Sequence, residues 1–239
     1  MKPTTLISAA FFLFFTPLSQ AKEVDLFVSG GQSNANFNKK AFGVGIENVV
    51  TQSTVFSNAE VVKTAMGGTP LIKWMDDDGN PQKFYHAHFF NHSGEGRPGQ
   101  LEQRIQEIKE RGDIMRFRGF FWFQGEAELK PEKGGSVEKY QKRFDLLLNQ
   151  LAKDIGHEDW NFVMNTVSKK KVAGASKGIN DVLADIAKTN PRGVLHDTQK
   201  GPQRTGGGVH SYNHILVGEN NAWLFIESFV ADKVKPEKK

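Results

Sequence analysis

The run Val24-Asp25-Leu26-Phe27-Val28-Ser29-Gly30-Gly31-Gln32-Ser33-Asn34 decides the fold. Its first half has the apolar composition of a buried strand, and the paired glycines end that strand in a turn whose backbone is open to a ligand. The turn delivers Ser33 to a helix start, where free N–H groups stabilise negative charge. Ser33 is therefore either the N-cap of a Gly-rich βα turn or a nucleophile placed at one.

The rest of the chain repeats the strand-then-helix order. Asn36 to Asn48, rich in Gly and Asn, reads as a short helix start followed by loop. Ala59 to Met66 reads as a second strand, ended by Gly67-Gly68-Thr69-Pro70. Trp74 to Gly99 has the composition of a long loop, with a turn cluster at Asp76-Asp77-Asp78-Gly79-Asn80-Pro81. Leu101, Ile105 and Ile108 then mark a helix that stops at Arg111-Gly112.

Phe117-Arg118-Gly119-Phe120-Phe121-Trp122-Phe123 is apolar on both alternating faces, as expected of a central strand covered on both sides. Val137, Tyr140, Phe144, Leu147, Leu148, Leu151 and Ile155 form one helical stripe. Trp160 to Val167 is a strand, Ile179 to Ile186 a helix ended by Asn190-Pro191, and Gly193 to His196 a short last strand. A final helix carries Ile215, Ala222, Trp223, Ile226 and Phe229. This alternation predicts one α/β domain on a mainly parallel sheet with helices on both faces.

In such sheets ligands bind beyond the carboxyl ends of the strands, and Ser33, Gly67-Gly68 and Gln124-Gly125-Glu126 all fall there. An amide and a carboxylate thus come to the edge that carries Ser33. The last loop, Thr205-Gly206-Gly207-Gly208-Val209-His210, brings an imidazole just before a helix. His214 follows four residues later as an alternative base, in the first turn of that helix if it begins near Asn213. His86, His88 and His92 have a spacing that suits a metal, but no adjacent Cys or carboxylate completes a set, so no metal or other cofactor is expected. Trp74, Tyr85 and Phe89 are instead expected to line the cleft.

The amino-terminal residues form a basic start, an apolar run around Phe11 to Phe15 and the small-residue pattern Ser19-Gln20-Ala21, the signature of a secretory signal peptide over residues 1–21. That run is shorter than the ~20 residues needed to span a bilayer, so no stable membrane insertion is expected. The remaining 22–239 suit a single domain, and the lysine-rich end from about 232 reads as a frayed tail. Cysteine is absent, so the core alone must hold an exported protein of the periplasmic or secreted kind. The formal charge of +4 is partly that tail, and no basic stripe interleaved with aromatics points to nucleic acid.

Gly30-Gly31-Gln32-Ser33-Asn34, Gly67-Gly68-Thr69-Pro70-Leu71 with Trp74, Trp122-Phe123-Gln124-Gly125-Glu126 and Val209-His210 resemble, in order, the blocks of the SGNH/GDSL hydrolase superfamily. They are most similar to its sialate O-acetylesterase-like and acetylxylan-esterase branch. The resemblance implies a flavodoxin-like, three-layer α/β/α fold and removal of acetyl esters from carbohydrate through an acyl-enzyme on Ser33. It implies His210 as base, oxyanion donors from the Ser33 N–H, the Gly68 or Gly67 N–H and the Gln124 amide, and substrate contacts at Gln32, Asn34, Gly67 and Trp74.

Ala35 stands where the nucleophile elbow of α/β-hydrolases needs a glycine, which separates the chain from that fold. The superfamily's acid three residues before the histidine is here Gly207, and the nearest upstream carboxylate is Asp197. Some related esterases use the glutamate of the Gln-Gly-Glu block, which nominates Glu126 to orient the histidine. The alternatives are a Ser-His dyad, a carbohydrate-binding chain without activity, or a lipid or thioester hydrolase on the same scaffold.

Overall fold

The computed structural model describes residues 20–167, 175–198 and 213–230. Among these residues five strands, β1 (Glu23–Gly31), β2 (Glu60–Lys63), β3 (Ile114–Phe123), β4 (Asn161–Asn165) and β5 (Gly193–His196), form one sheet in the order β2-β1-β3-β4-β5. Every pairing is parallel. This is the flavodoxin-like order, with β3 in the middle as its two-sided apolar sequence requires.

Among the described residues six helices flank the sheet: α1 (Ser33–Val50), α2 (Lys83–His88), α3 (Gln100–Glu110), α4 (Tyr140–Ile155), α5 (Ala175–Thr189) and α6 (His214–Phe229). Alternation along the strands divides the core in two. Leu26, Val28, Phe120, Trp122, Phe162 and Met164 pack with residues from α2 to α5 on one face. Phe27, Phe121, Phe123 and Val163 meet Phe42, Ile46, Val217, Ala222 and Phe225 of α1 and α6 on the other. The three-layer α/β/α expectation is met.

Two segments differ from their sequence reading. The stretch after Ser33 is not a short helix and a loop but the 18-residue α1. Its glycines are there for contact with neighbours. A Cβ on Gly45 would lie 2.0 Å from the Ile215 carbonyl oxygen, and one on Gly218 would lie 2.1 Å from that of Phe42, so α1 and α6 touch backbone to backbone. The segment from Trp74 to Gly99 is not all loop either. It carries α2 and a bridge between Met75 and Pro81, lays Trp74 and Phe89 onto β3, and puts Tyr85 in the same core. Trp74 stands edge-on to Trp122 and Phe89 edge-on to Phe120, with ring centroids 5.4 and 5.9 Å apart.

No described helix is long and apolar enough to cross a membrane. Residues 1–19 of the expected signal peptide (1–21), the basic tail, Gly207 and His210 lie outside the described residues.

Candidate active site

The strand order reverses between β1 and β3, and the crevice beyond their carboxyl ends is where open parallel sheets bind ligands. Gly31 pairs with Phe123 at the end of that ladder. Gly30 and Gly31 are needed here by the sheet itself. A Cβ on Gly30 would meet the Thr64 hydroxyl at 2.9 Å and the Trp122 ring at 3.0 Å, and one on Gly31 would lie 2.3 Å from the Phe123 carbonyl oxygen. The glycines that open onto free space are Gly67 and Gly68, the latter with φ +66°, and neither has an atom within 4 Å of where a side chain would begin.

Gln32 caps α1 and Ser33 is its first residue, half-buried, with its N–H at the positive end of the helix. The neighbours of Ser33 clasp one carboxylate. Gln32 Nε2 donates to Glu126 Oε2 and Asn34 Nδ2 to Glu126 Oε1, each at 2.5 Å. Gln32 Oε1 accepts from the Ala127 N–H at 3.0 Å and the Gly125 N–H at 3.4 Å, which fixes the 3₁₀ turn Glu126–Leu129 against β1. The structure thus brings Ser33 and Glu126 together across the crevice. It departs from the expectation that Gln32 and Asn34 face a substrate. They are 2% and 0% exposed, and their amides hold Glu126.

Gln124 also departs from expectation. Its Nε2 donates to Glu128 Oε1 at 2.7 Å and to the Thr69 carbonyl at 3.3 Å, so both amide hydrogens meet protein acceptors and none is left over for an oxyanion. It props the Gly67–Leu71 segment instead. Trp74, Tyr85 and Phe89 are 0% exposed, which corrects their assignment as cleft-lining sugar platforms: they are core.

A cleft of about 770 Å³ opens beside Gly68, between Pro70, Ile72 and Phe84 on one side and Glu132 to Gly134 on the other. Glu128, which sequence reasoning missed, lies under it, 2% exposed. The only signal for it in the sequence is a second acid two residues after Glu126. Burial raises its carboxyl above the usual range, against hydrogen bonds from the Ser136 and Leu71 N–H groups and Gln124 and the charge of Arg143.

Four of the described histidines have these surroundings. His214 is the first residue of α6, 4% exposed, behind Asn213, whose side chain caps the helix by accepting from the Leu216 N–H. His196 Nδ1, at the end of β5, lies 3.1 Å from both Asn165 Oδ1 and Asn221 Nδ2. Asp197 accepts from the Thr166 hydroxyl at 3.3 Å. His92 pairs with Asp154 at 2.8 Å, and His88 stacks on Trp74. Among the described residues no three His, Cys, Asp or Glu side chains gather as a metal-binding set.

Comparison with known proteins gives this geometry its context. No curated protein sequence matches the chain. Among solved structures, it is similar to a carbohydrate acetylesterase from Xanthomonas citri (TM-score 0.59, 15% identity, 87% of this chain and 57% of that one). It is similar also to a carbohydrate esterase family 2 enzyme with a carbohydrate-binding domain from Corynascus thermopiles (TM-score 0.56, 12% identity, 89% and 68%). A family two carbohydrate esterase from Cellvibrio japonicus gives a TM-score of 0.53 at 13% identity over 85% and 61%. The chain therefore spans a little over half the length of the Xanthomonas protein, and at these identities the likeness is one of fold. A sequence model of the family described as carbohydrate esterase, sialic acid-specific acetylesterase matches residues 35–210. The chain belongs to that family.

Proposed function

We propose that the protein is a serine esterase that removes O-acetyl groups from carbohydrate, sialate or xylan-type polysaccharide, through an acyl-enzyme on Ser33. One observation carries this reading: the residues on either side of Ser33 hold the Glu126 carboxylate beside it. Family membership and the carbohydrate esterase folds of the structural neighbours support it.

A serine hydroxyl is a weak nucleophile until a base takes its proton. His210, four residues ahead of the start of α6 in sequence, fills that role. It receives the Ser33 proton as Oγ attacks the acetyl carbonyl and returns it to the departing sugar oxygen. Water then repeats the sequence on the acyl-enzyme and releases acetate. Glu126, with one amide on each oxygen, keeps lone pairs to accept from the imidazole and to stabilise the imidazolium. The oxyanion lies against the Ser33 N–H at the start of α1 and the Gly68 N–H on the open turn, donors fixed in advance of the reaction. Gln124 holds that turn. The leader segment fits action outside the cytoplasm, on polysaccharide in the periplasm or beyond.

Ser33→Ala should abolish hydrolysis of a small aryl acetate, and unchanged turnover would end this reading. Gly207, in place of the family's usual acid, favours a second one, a carbohydrate-binding chain without activity. Covalent labelling of Ser33 by a serine-directed organophosphonate separates the two, since the inactive form would not be labelled.

A further inference from the structure

Glu128 is a buried carboxylate that the proposed chemistry does not use, and all its partners are donors. Its Oε1 accepts from the Leu71 N–H at 2.6 Å and from Gln124 Nε2 at 2.7 Å, and its Oε2 accepts from the Ser136 N–H at 3.0 Å. Leu71 follows the Gly68–Pro70 wall of the cleft, and Ser136 follows the opposite wall that ends at Gly134. Glu128 therefore joins the two walls from beneath. Charge-assisted hydrogen bonds of this kind are the strong ones, and an amide or a protonated acid in the same place would set a donor against a donor.

We propose that Glu128 is a positioning residue whose carboxylate ties the Gly67–Leu71 turn to the segment ahead of α4, and so fixes the Gly68 N–H relative to Ser33. The last clause rests on the esterase reading; the tie itself does not. The charged and titratable groups set against Glu128 are Arg143 and Tyr140 on α4, and Tyr140 also faces the charge of Glu126. Arg143 is shared with Asp77, to which its Nε donates at 2.7 Å. Because burial raises the Glu128 carboxyl, the tie should loosen at milder acidity than titrates an exposed glutamate.

The test is amide hydrogen exchange on the full chain, corrected for intrinsic rates, together with aryl acetate kinetics. In the wild type, protection around Leu71 and around Ser136 should fall together on acidification, with one midpoint. Glu128→Gln should exchange at least about tenfold faster at both segments at neutral pH and show no such step. Its kcat should fall about tenfold or more with KM within about threefold, because the loss is in the transition state. Unchanged protection in Glu128→Gln, or separate midpoints for the two segments in the wild type, would overturn the tie. If the variant does not fold, the wild-type pH series decides alone. Faster exchange with unchanged kcat would overturn the link to the oxyanion. A wild type that neither hydrolyses the ester nor is labelled at Ser33, yet shows the common midpoint, would sink the esterase reading and leave the tie standing.

Discussion

Gln32→Ala is the sharpest probe of how the site is held. The wild-type side chain does two things at once: Nε2 donates to Glu126, and Oε1 accepts from the Ala127 and Gly125 N–H groups. Truncation removes one of the two amides on the carboxylate and orphans the Ala127 N–H in a buried place. A hydrogen bond to a charged group contributes about 1.5–3 kcal/mol and an unsatisfied buried N–H costs about 1–3 kcal/mol. With water recovering part of the loss, the variant should be about 3 kcal/mol less stable in urea unfolding.

Activity should suffer separately. Without the Gln32 amide, Glu126 loses one of the groups that hold its geometry. A kcat loss of about 100-fold corresponds to roughly 2.7 kcal/mol of transition-state stabilisation. Gln32→Glu divides the two effects, because it keeps an acceptor for Ala127 while setting a carboxylate against Glu126. It should therefore lose less stability than Gln32→Ala if the N–H dominates, yet be at least as slow. The assay is aryl acetate hydrolysis at a temperature where each variant is fully folded. A Gln32→Ala protein that is destabilised but keeps kcat within about twofold would refute the claim that Glu126 is held for catalysis.

Two further outcomes follow from burial and packing. Burial, followed by the charge of Lys40, lowers the His88 pKa from 6.5 to about 4. The unfolded chain thus binds that proton more readily, and stability from this group is present above pH 6.5 and lost as pH falls toward 4. The full span is on the order of 3 kcal/mol, and His88→Phe should flatten the unfolding free energy over that window; an unaltered acid slope would contradict it. Gly218→Ala should cost about 1–3 kcal/mol by overpacking, because the added carbon meets the Phe42 carbonyl rather than a side chain that can turn aside; equal stability in thermal unfolding would show that α1 and α6 can separate freely.

The sheet and its order of elements were legible because strands buried on both faces and helices with one apolar stripe leave periodic traces. β3 and α4 are the clearest cases, and Ser33, Gly68 and Glu126 fell at one sheet edge as expected. The failures have physical causes. Gly43 and Gly45 read as loop signals, yet a helical glycine pressed against a neighbouring side chain or backbone is locally indistinguishable from a flexible one. Trp74, Tyr85 and Phe89 read as a sugar platform because composition does not say which side of an aromatic segment meets the sheet. Gln124, Gln32 and Asn34 had the right chemistry for substrate contacts, but their amides are consumed by Glu128, the Thr69 carbonyl and Glu126. Only three-dimensional proximity reveals such pairings.

The glycine contact between α1 and α6 also sets an order of events in time. The helix that begins with Ser33 lies on the sheet and is covered by the last helix of the described chain, so the part of it that faces α6 has no partner until almost every residue is available. Contacts between such distant segments are slow to form, since the intervening chain must first be ordered. The sheet can assemble outward from β1 and β3 early, with α1 still loose upon it. Docking of α6 then completes the cover of α1 in a single late step.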